Sequence, residues 1–251
     1  MAKVLKVFDA VDGISHALAV EVASLSAQRI AASGRFTVAV SGGSLPAILC
    51  KQLSHDKNVD WAKWHLFLAD ERCVPNTHAD STYALVKKEL LDHVRIPQEN
   101  VHPINDAILV AKDGACSESE TAAVAADYIA QLTSVFGSKI EFDLILLGMG
   151  PDGHTCSLFP NHPLLKVHNT SVAFLTDSPK PPPARITLTY PVLNAARNVI
   201  FVSTGEGKAQ VLHDILIKNK EYPAGLVSPQ TPTCWYLDAP AAKLLGSKVS
   251  S

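Results

Sequence analysis

The sequence has no long apolar stretch and no large excess of charge of either sign. Its 251 residues include 22 Lys or Arg and 24 Asp or Glu, so the formal net charge is −2 at pH 7. A membrane-spanning helix needs about 20 consecutive apolar residues, and a nucleic-acid-binding surface usually needs clustered basic residues. Because the sequence has neither, we expect neither a membrane nor a nucleic acid among its partners.

Cysteine is also scarce and irregularly spaced. The five cysteines are odd in number, and no two of them form a C-x-x-C pair. This pattern disfavours a disulfide framework and a cysteine-rich zinc site, and it is typical of free thiols in a reducing compartment. The amino-terminal residues also lack the apolar core of a secretory signal. We therefore expect a cytosolic protein.

What the sequence does contain is a regular alternation of short apolar runs and amphipathic stretches. This pattern is typical of an α/β domain whose mostly parallel sheet is covered by helices on both faces. We predict a Rossmann-like fold of this kind, forming one domain over residues 1–251. Strands are predicted at 4–8, 36–40, 64–68, 144–147, 172–176, 185–189, 198–203 and 233–237, and long helices at 9–32, 80–91 and 118–135.

Residues 142–160 carry the strongest functional signal. The apolar run 144–147 predicts a strand buried on both faces, and a turn with three glycines follows it over 148–153. In open α/β sheets, ligands bind at the carboxyl ends of the strands. His154 is the first imidazole after the turn. It is a candidate catalytic residue, because an ordinary histidine pKa of about 6.5 allows proton exchange near neutral pH.

The same segment also matches a motif of a different class of enzyme. Residues 148–153 fit the pattern G-x-G-x-x-G, which is typical of nicotinamide-dependent enzymes. That pattern requires a full helix after the third glycine, whose amino terminus receives the pyrophosphate. Pro160 and Pro163 would end such a helix within about two turns. A nicotinamide-dependent enzyme remains an alternative.

A second candidate site follows the predicted strand 36–40. Ser41, Gly42, Gly43 and Ser44 lead from this strand directly into a predicted helix. Exposed N–H groups and the helix dipole favour an anion at such a helix start. These four residues are therefore candidates for a phosphate-binding loop, although a tight turn with a serine cap would have the same sequence.

Charged residues follow two further predicted strands. Asp70, Glu71 and Arg72 come after the third strand, in a predicted loop, and a Gly-Glu-Gly-Lys turn occupies 205–208. Carboxylates and a guanidinium at a strand end can form an acid, a base and an anion clamp. Because parallel strands end at the same edge of a sheet, we expect all these strand ends to form one site.

A run of prolines interrupts the second half of the chain. Residues 179–183 are four prolines and Lys180. Such a run favours a stiff, extended backbone. It can be a recognition motif for another protein, but we predict a rigid loop between two strands.

Five motifs occur in a characteristic order: SGGSLP at 41–46, DERCVP at 70–75, GMGPDGHTCSLFP at 148–160, RITLT at 185–189 and GEGKA at 205–209. Together they resemble the 6-phosphogluconolactonase family, and the resemblance covers nearly the whole chain. Wider relatives of that family include glucosamine-6-phosphate deaminase and ribose-5-phosphate isomerase. The resemblance implies a Rossmann-like α/β fold and hydrolysis of 6-phospho-D-glucono-1,5-lactone in the oxidative pentose phosphate pathway. It also implies no metal and no organic cofactor.

The resemblance also implies roles for individual residues. The phosphate is expected on the loop 41–44, helped by Arg185 and Lys208, while the segment containing His154 faces the lactone. Position 156 is often alanine in the family, so Cys156 is expected to be incidental and not a nucleophile. Asp70 corresponds to the proton-abstracting aspartate of the deaminase, a role that a hydrolase does not require.

The residue types agree with this chemistry independently. A lactone is an activated ester, so its hydrolysis needs a base for water and positive groups near the developing oxyanion. His154 can act as that base and then return the proton to the departing ring oxygen. Arg72 is the best candidate oxyanion clamp, followed by the N–H groups of the glycine loop. Either Glu71 or Asp152 can orient His154, and both remain open.

Two further functions use the same features. A phosphosugar isomerase or deaminase would use Asp70 to move a carbon-bound proton, and a sugar-phosphate sensor would keep the phosphate ligands without a working His154. No pair of His, Cys or acidic residues has the spacing of a zinc site. We expect a monomer whose partner is a small sugar-phosphate lactone.

Overall fold

The computed structural model describes residues 3–246, which form two sheets surrounded by helices. The strands are β1 (Lys3–Phe8), β2 (Phe36–Val40), β3 (Trp64–Leu68), β4 (Asp70–Arg72), β5 (Val101–His102), β6 (Leu144–Gly148), β7 (Val172–Leu175), β8 (Arg185–Leu188), β9 (Val199–Ser203) and β10 (Thr233–Asp238). The helices are α1 (Val11–Ser33), α2 (Leu45–Leu53), α3 (Thr82–Val86), α4 (Glu118–Phe136), α5 (Tyr190–Ala195), α6 (Ala209–Leu216), α7 (Pro223–Leu226) and α8 (Ala239–Ala242).

The larger sheet has seven strands in the order β1-β10-β9-β6-β2-β3-β5. Every neighbouring pair in it is parallel. This confirms the predicted mostly parallel α/β sheet. The apolar run 144–147 forms β6, which lies at the centre of the sheet. None of the helices within residues 3–246 is long and apolar enough to cross a bilayer.

The central strand β6 is covered on both faces because its side chains alternate between two apolar layers. Ile145 and Leu147 pack in a layer with α4, α5 and α6. Leu144 and Leu146 pack in the opposite layer with α1 and α2. This period of two is the ordinary geometry of a strand, and it explains why a continuous apolar run indicates a strand buried on both sides.

The helix ends follow the signals in the sequence. Gly34 ends α1 in the left-handed conformation with φ of 76°, and its N–H donates to Ile30 O at 2.8 Å. Ser117 and Glu120 form a reciprocal capping box at the start of α4. The helix predicted over 80–91 is shorter and less regular than expected, since α3 continues as a π-helical turn over Lys87–Leu91.

The smaller sheet has three antiparallel strands in the order β4-β8-β7. Ala69 connects the two sheets: its N–H donates to Val40 O at 3.0 Å in the larger sheet, and its carbonyl accepts from Leu188 N at 2.9 Å in the smaller one. The segment 70–72, for which the sequence suggested a solvated loop or part of a site, is the strand β4. Its three polar residues lack the apolar pattern that marks a strand in the sequence. Its pairing with β8 brings Arg185 opposite Arg72.

All five cysteines are free thiols. Four of them are buried, and Cys234 is half-buried. Burial raises the pKa of each of these thiols above its ordinary value, to about 12 for Cys50. They act as small apolar side chains in this fold.

A buried histidine makes the fold sensitive to acid. His102 is 8% exposed, and its ring stacks on Phe67 with 4.0 Å between centroids. Burial and the neighbouring His65 lower the pKa of His102 to about 4. In the unfolded chain this pKa is about 6.5, so the unfolded state binds more protons as the pH falls. The stability that His102 contributes is complete above about pH 6.5 and is lost as the pH falls toward about 4.

We therefore expect His102→Phe to reduce the acid sensitivity of folding. The loss in free energy of unfolding between about pH 7.5 and about pH 4.5 should be smaller than in the wild type by about 2 kcal/mol, allowing for partial solvent screening. Urea unfolding at both pH values measures this difference. His55→Gln, at an exposed position, is the matched control and should leave the loss unchanged. An equal loss in wild type and His102→Phe would contradict the assignment.

Candidate active site

The carboxyl ends of β2, β3, β6 and β9 open into one cavity of about 290 Å³. Its walls include nine of the residues that the sequence analysis proposed for catalysis and phosphate binding, namely Ser41, Gly42, Gly43, Ser44, Asp70, Arg72, His154, Arg185 and Lys208. The parallel sheet brings the ends of β2, β3, β6 and β9 to one edge, while β8 of the smaller sheet supplies Arg185.

The turn after β6 holds His154 tightly against the backbone. The N–H of Gly150 donates to His154 O at 2.9 Å, and the N–H of Gly153 donates to Gly150 O at 3.0 Å. A Cβ atom on Gly150 would lie 2.0 Å from His154 Nδ1. Gly153 has φ of 80°, and a Cβ there would lie 2.4 Å from a ring carbon of Tyr222. Only glycine at these two positions leaves room for the imidazole and for the turn that presents it.

Asp152 lies against the imidazole of His154. Its Oδ1 is 2.5 Å from Nδ1 of His154. Burial lowers the pKa of His154 below its ordinary value; Asp152 opposes this shift, and the positive charge of Lys180 adds to it. Nε2 of His154 makes no hydrogen bond to the described residues 3–246. The lowered pKa favours the neutral ring near pH 7, and Nε2 is available to a water molecule.

Glu71, the other candidate partner of His154, has a different role. Its carboxylate accepts hydrogen bonds from Ser81 Oγ at 3.0 Å and from the N–H groups of Thr82 and Tyr83, both at 2.8 Å. Because it caps the amino terminus of α3, Glu71 stabilises the fold beside the site and does not orient the imidazole.

Lys180 is a site residue that the sequence analysis missed. Its Nζ lies 3.2 Å from His154 Nδ1 and 3.3 Å from Asp152 Oδ1. The proline run was predicted only as a stiff connection. The signal that could have found Lys180 is the single charged side chain inside a segment whose backbone is too stiff to move it away.

The loop 41–44 presents unused backbone donors to the cavity. The N–H of Ser41 donates to Leu146 O at 3.0 Å, which fixes the loop to β6. The N–H groups of Gly42, Gly43 and Ser44 donate no hydrogen bond to any other residue within 3–246. They precede the first turn of α2, so the loop has the donors and the dipole that favour an anion.

Lys208 reaches the same cavity from the turn after β9. Burial and the positive charge of Lys180 lower the pKa of Lys208, and Asp152 opposes this shift. Lys208 and the free N–H groups of the loop 41–44 make this side of the cavity attractive to a phosphate group.

The other predicted charged residues are held by specific contacts. Asp70 accepts a hydrogen bond from Ser157 Oγ at 2.8 Å, and Nη1 of Arg72 donates to Asp80 O at 2.5 Å. Arg185 donates from Nε to Pro182 O at 3.0 Å, and its Nη2 also bonds to the proline run. Of the guanidinium nitrogens of Arg185, only Nη1 lacks a hydrogen bond within residues 3–246, so only part of this group is free to contact a ligand.

The dinucleotide pattern at 148–153 does not have the required structure. The chain after Gly153 forms a single bridge between Thr155 and Leu158, and the next helical segment is the short 3₁₀ turn Pro163–Lys166. Without a helix after the third glycine, the segment lacks the amino terminus that would receive a pyrophosphate. Within residues 3–246, no group of three or more His, Cys, Asp or Glu side chains is arranged to hold a metal ion.

Comparison with known proteins agrees with the geometry. The family described as glucosamine-6-phosphate isomerases/6-phosphogluconolactonase matches residues 9–235. Human 6-phosphogluconolactonase is 47% identical over 92% of this chain and 91% of its own length. The bovine protein of the same name is 45% identical over 97% and 94%. A solved structure of 6-phosphogluconolactonase from Trypanosoma brucei superimposes with a TM-score of 0.84 at 27% identity, covering 97% of this chain and 99% of that one. The chain therefore belongs to the glucosamine-6-phosphate isomerase/6-phosphogluconolactonase family.

Proposed function

We propose that this protein hydrolyses 6-phospho-D-glucono-1,5-lactone to 6-phospho-D-gluconate, the second step of the oxidative pentose phosphate pathway. One observation carries the proposal: His154, which is paired with Asp152, shares a cavity with Lys208 and the free N–H groups of the loop 41–44. This arrangement supplies a base for water and a separate place for a phosphate. The names of the human, bovine and trypanosomal relatives support the same substrate.

The reaction begins with a water molecule held at Nε2 of His154. The imidazole takes a proton from this water as the water oxygen bonds to C1 of the lactone, and the carbonyl oxygen becomes an oxyanion. When the tetrahedral intermediate collapses, the bond between C1 and the ring oxygen breaks, and the imidazolium gives its proton to that oxygen. The acid that forms at C1 ionises in water. Asp152 accepts a hydrogen bond from Nδ1 throughout and stabilises the imidazolium.

Positive groups in the cavity balance the charges of the substrate. Arg72 is our candidate for the oxyanion, since it lines the cavity at the end of β4. The phosphate lies on the loop 41–44, where Lys208 and Nη1 of Arg185 complete its coordination. A charge-assisted hydrogen bond contributes about 1.5–3 kcal/mol, so these contacts bring the lactone ring to His154 and also favour the phosphorylated substrate.

The direct test is the rate of lactone opening by the purified protein. We expect the freshly formed phosphorylated lactone to disappear much faster than it does spontaneously, with 6-phosphogluconate as the product. A rate equal to the spontaneous one would overturn the proposal. The isomerase or deaminase alternative is tested in parallel by proton exchange at C2 of glucosamine 6-phosphate, where we expect none. Exchange at C2 without lactone opening would assign Asp70 as the base instead.

Two further statements belong to this proposal. We infer that the enzyme acts in the cytosol, which the five free and mostly buried thiols support. We also infer that it acts as a monomer, since all the groups in the reaction above come from a single chain.

A further inference from the structure

Lys180 has no role in the reaction described above, although its ammonium group lies beside the base. We propose that Lys180 is a positioning residue. Arg185 fixes the backbone of Lys180 through the proline run, and the ammonium group of Lys180 holds the Asp152 carboxylate against the Nδ1 edge of His154. It thereby determines which imidazole nitrogen faces the substrate water. This inference rests on the proposed function and deepens it.

The three side chains can share protons in only one consistent way. Nδ1 of His154 cannot donate to Asp152 and also accept from Lys180. The contact of 2.5 Å to Asp152 Oδ1 is much shorter than the 3.2 Å to Lys180 Nζ. Nδ1 therefore carries the proton and donates to Asp152, while Lys180 pairs with the same carboxylate oxygen at 3.3 Å. This arrangement leaves the lone pair on Nε2, where the reaction needs it.

The backbone of Lys180 is held by a buried arginine. Arg185 is 3% exposed, and its Nη2 donates to Lys180 O at 2.9 Å and to Pro181 O at 3.0 Å. Ser178 Oγ also donates to Lys180 O, at 2.8 Å. These bonds fix the backbone from which the Lys180 side chain extends to the Asp152–His154 pair.

The charges around His154 show why removal of Lys180 has a measurable effect. Asp152 on its own loop and Asp70 on β4 favour the protonated ring, whereas burial and Lys180 oppose it. Lys208 also lines the cavity, and its charge interacts with those of Lys180 and Asp152. Arg185 is separated from the ring by Phe159, whose ring centre is 4.8 Å from that of His154 and 5.8 Å from the guanidinium. Of the positive groups within residues 3–246, Lys180 alone contacts the imidazole.

The test compares Lys180→Met with Lys180→Arg, which keeps the charge. For Lys180→Met we expect the pH below which kcat/KM falls to rise by about one unit. We also expect kcat near neutral pH to fall about tenfold. Lys180→Arg should keep most of the wild-type pH dependence and most of the wild-type kcat. Lys166→Met, at an exposed position outside the cavity, is the matched control and should behave like the wild type. A higher KM with unchanged kcat and pH profile would overturn the proposal, because it would make Lys180 a substrate contact.

A second measurement does not depend on the substrate. Proton NMR of the histidine Cε1–H signals gives the pKa of His154 directly, and the signal absent from His154→Gln identifies it. We expect this pKa to rise by about one unit in Lys180→Met, and an unchanged pKa would overturn the proposal. If the shift occurs in a protein that opens no lactone, the positioning role stands and the proposed function fails.

Discussion

Replacement of His154 by alanine is expected to lower kcat by about 10²–10⁴-fold, the usual contribution of general acid–base assistance. KM should change little, because the phosphate contacts lie elsewhere in the cavity. The wild-type enzyme should keep its kcat/KM below pH 6.5, since burial lowers the pKa of His154 and only the neutral ring is a base. In the variant, the fall of kcat/KM at acidic pH that results from protonation of His154 should be absent. Initial rates of lactone opening across pH, corrected for spontaneous hydrolysis, measure all three effects.

The matched control for this variant is His168→Ala, which removes an exposed histidine from the following loop. It should retain the kcat and the pH profile of the wild type. If His154→Ala keeps half of the wild-type kcat, His154 is not the base and the mechanism proposed above is wrong.

The second large effect is expected for Lys208→Ala. If Lys208 donates to the phosphate, the loss of about 1.5–3 kcal/mol corresponds to about 10–200-fold in kcat/KM toward the phosphorylated lactone. The same variant should lose almost nothing toward glucono-1,5-lactone, which has no phosphate. Measurement of both substrates on one protein therefore separates a phosphate contact from structural damage.

The matched control is Lys243→Ala, because Lys243 pairs with Glu206, which lies in the same turn as Lys208. It perturbs the turn without removing a group of the cavity, so it should change both substrates little. Equal losses on the two lactones in Lys208→Ala would show that Lys208 supports the fold or the chemistry instead of the phosphate.

The parts of this fold that the sequence predicts are those with local signals. The apolar run 144–147 has only one stable placement, a strand buried on both faces, and it is the central strand. The glycines after it are required by the backbone under His154. Once the sheet is known to be parallel, the strand ends must meet at one edge. For this reason the loop 41–44, His154 and Lys208, which are far apart in the chain, could be predicted to lie together, and they line one cavity.

The parts that the sequence does not predict depend on contacts between distant segments. The strand β4 is three polar residues long, and only its pairing with β8, more than a hundred positions away, makes it a strand. Lys180 contacts His154 across 26 positions. The carbonyls that occupy Arg185 come from a loop whose path no local pattern describes. In each case the deciding interaction is tertiary and has no periodic signature.

The connection at Ala69 has a consequence for how this site can diversify. In β4, Asp70 and Arg72 line the cavity while Glu71 between them caps α3. Side chains of a strand alternate with a period of two, and both backbone groups of Ala69 are fixed by different sheets. One inserted residue after Ala69 would turn Glu71 toward the substrate and withdraw Asp70 and Arg72. A single substitution in this segment therefore alters one side chain of the site, whereas a change in the length of the segment displaces all three side chains together.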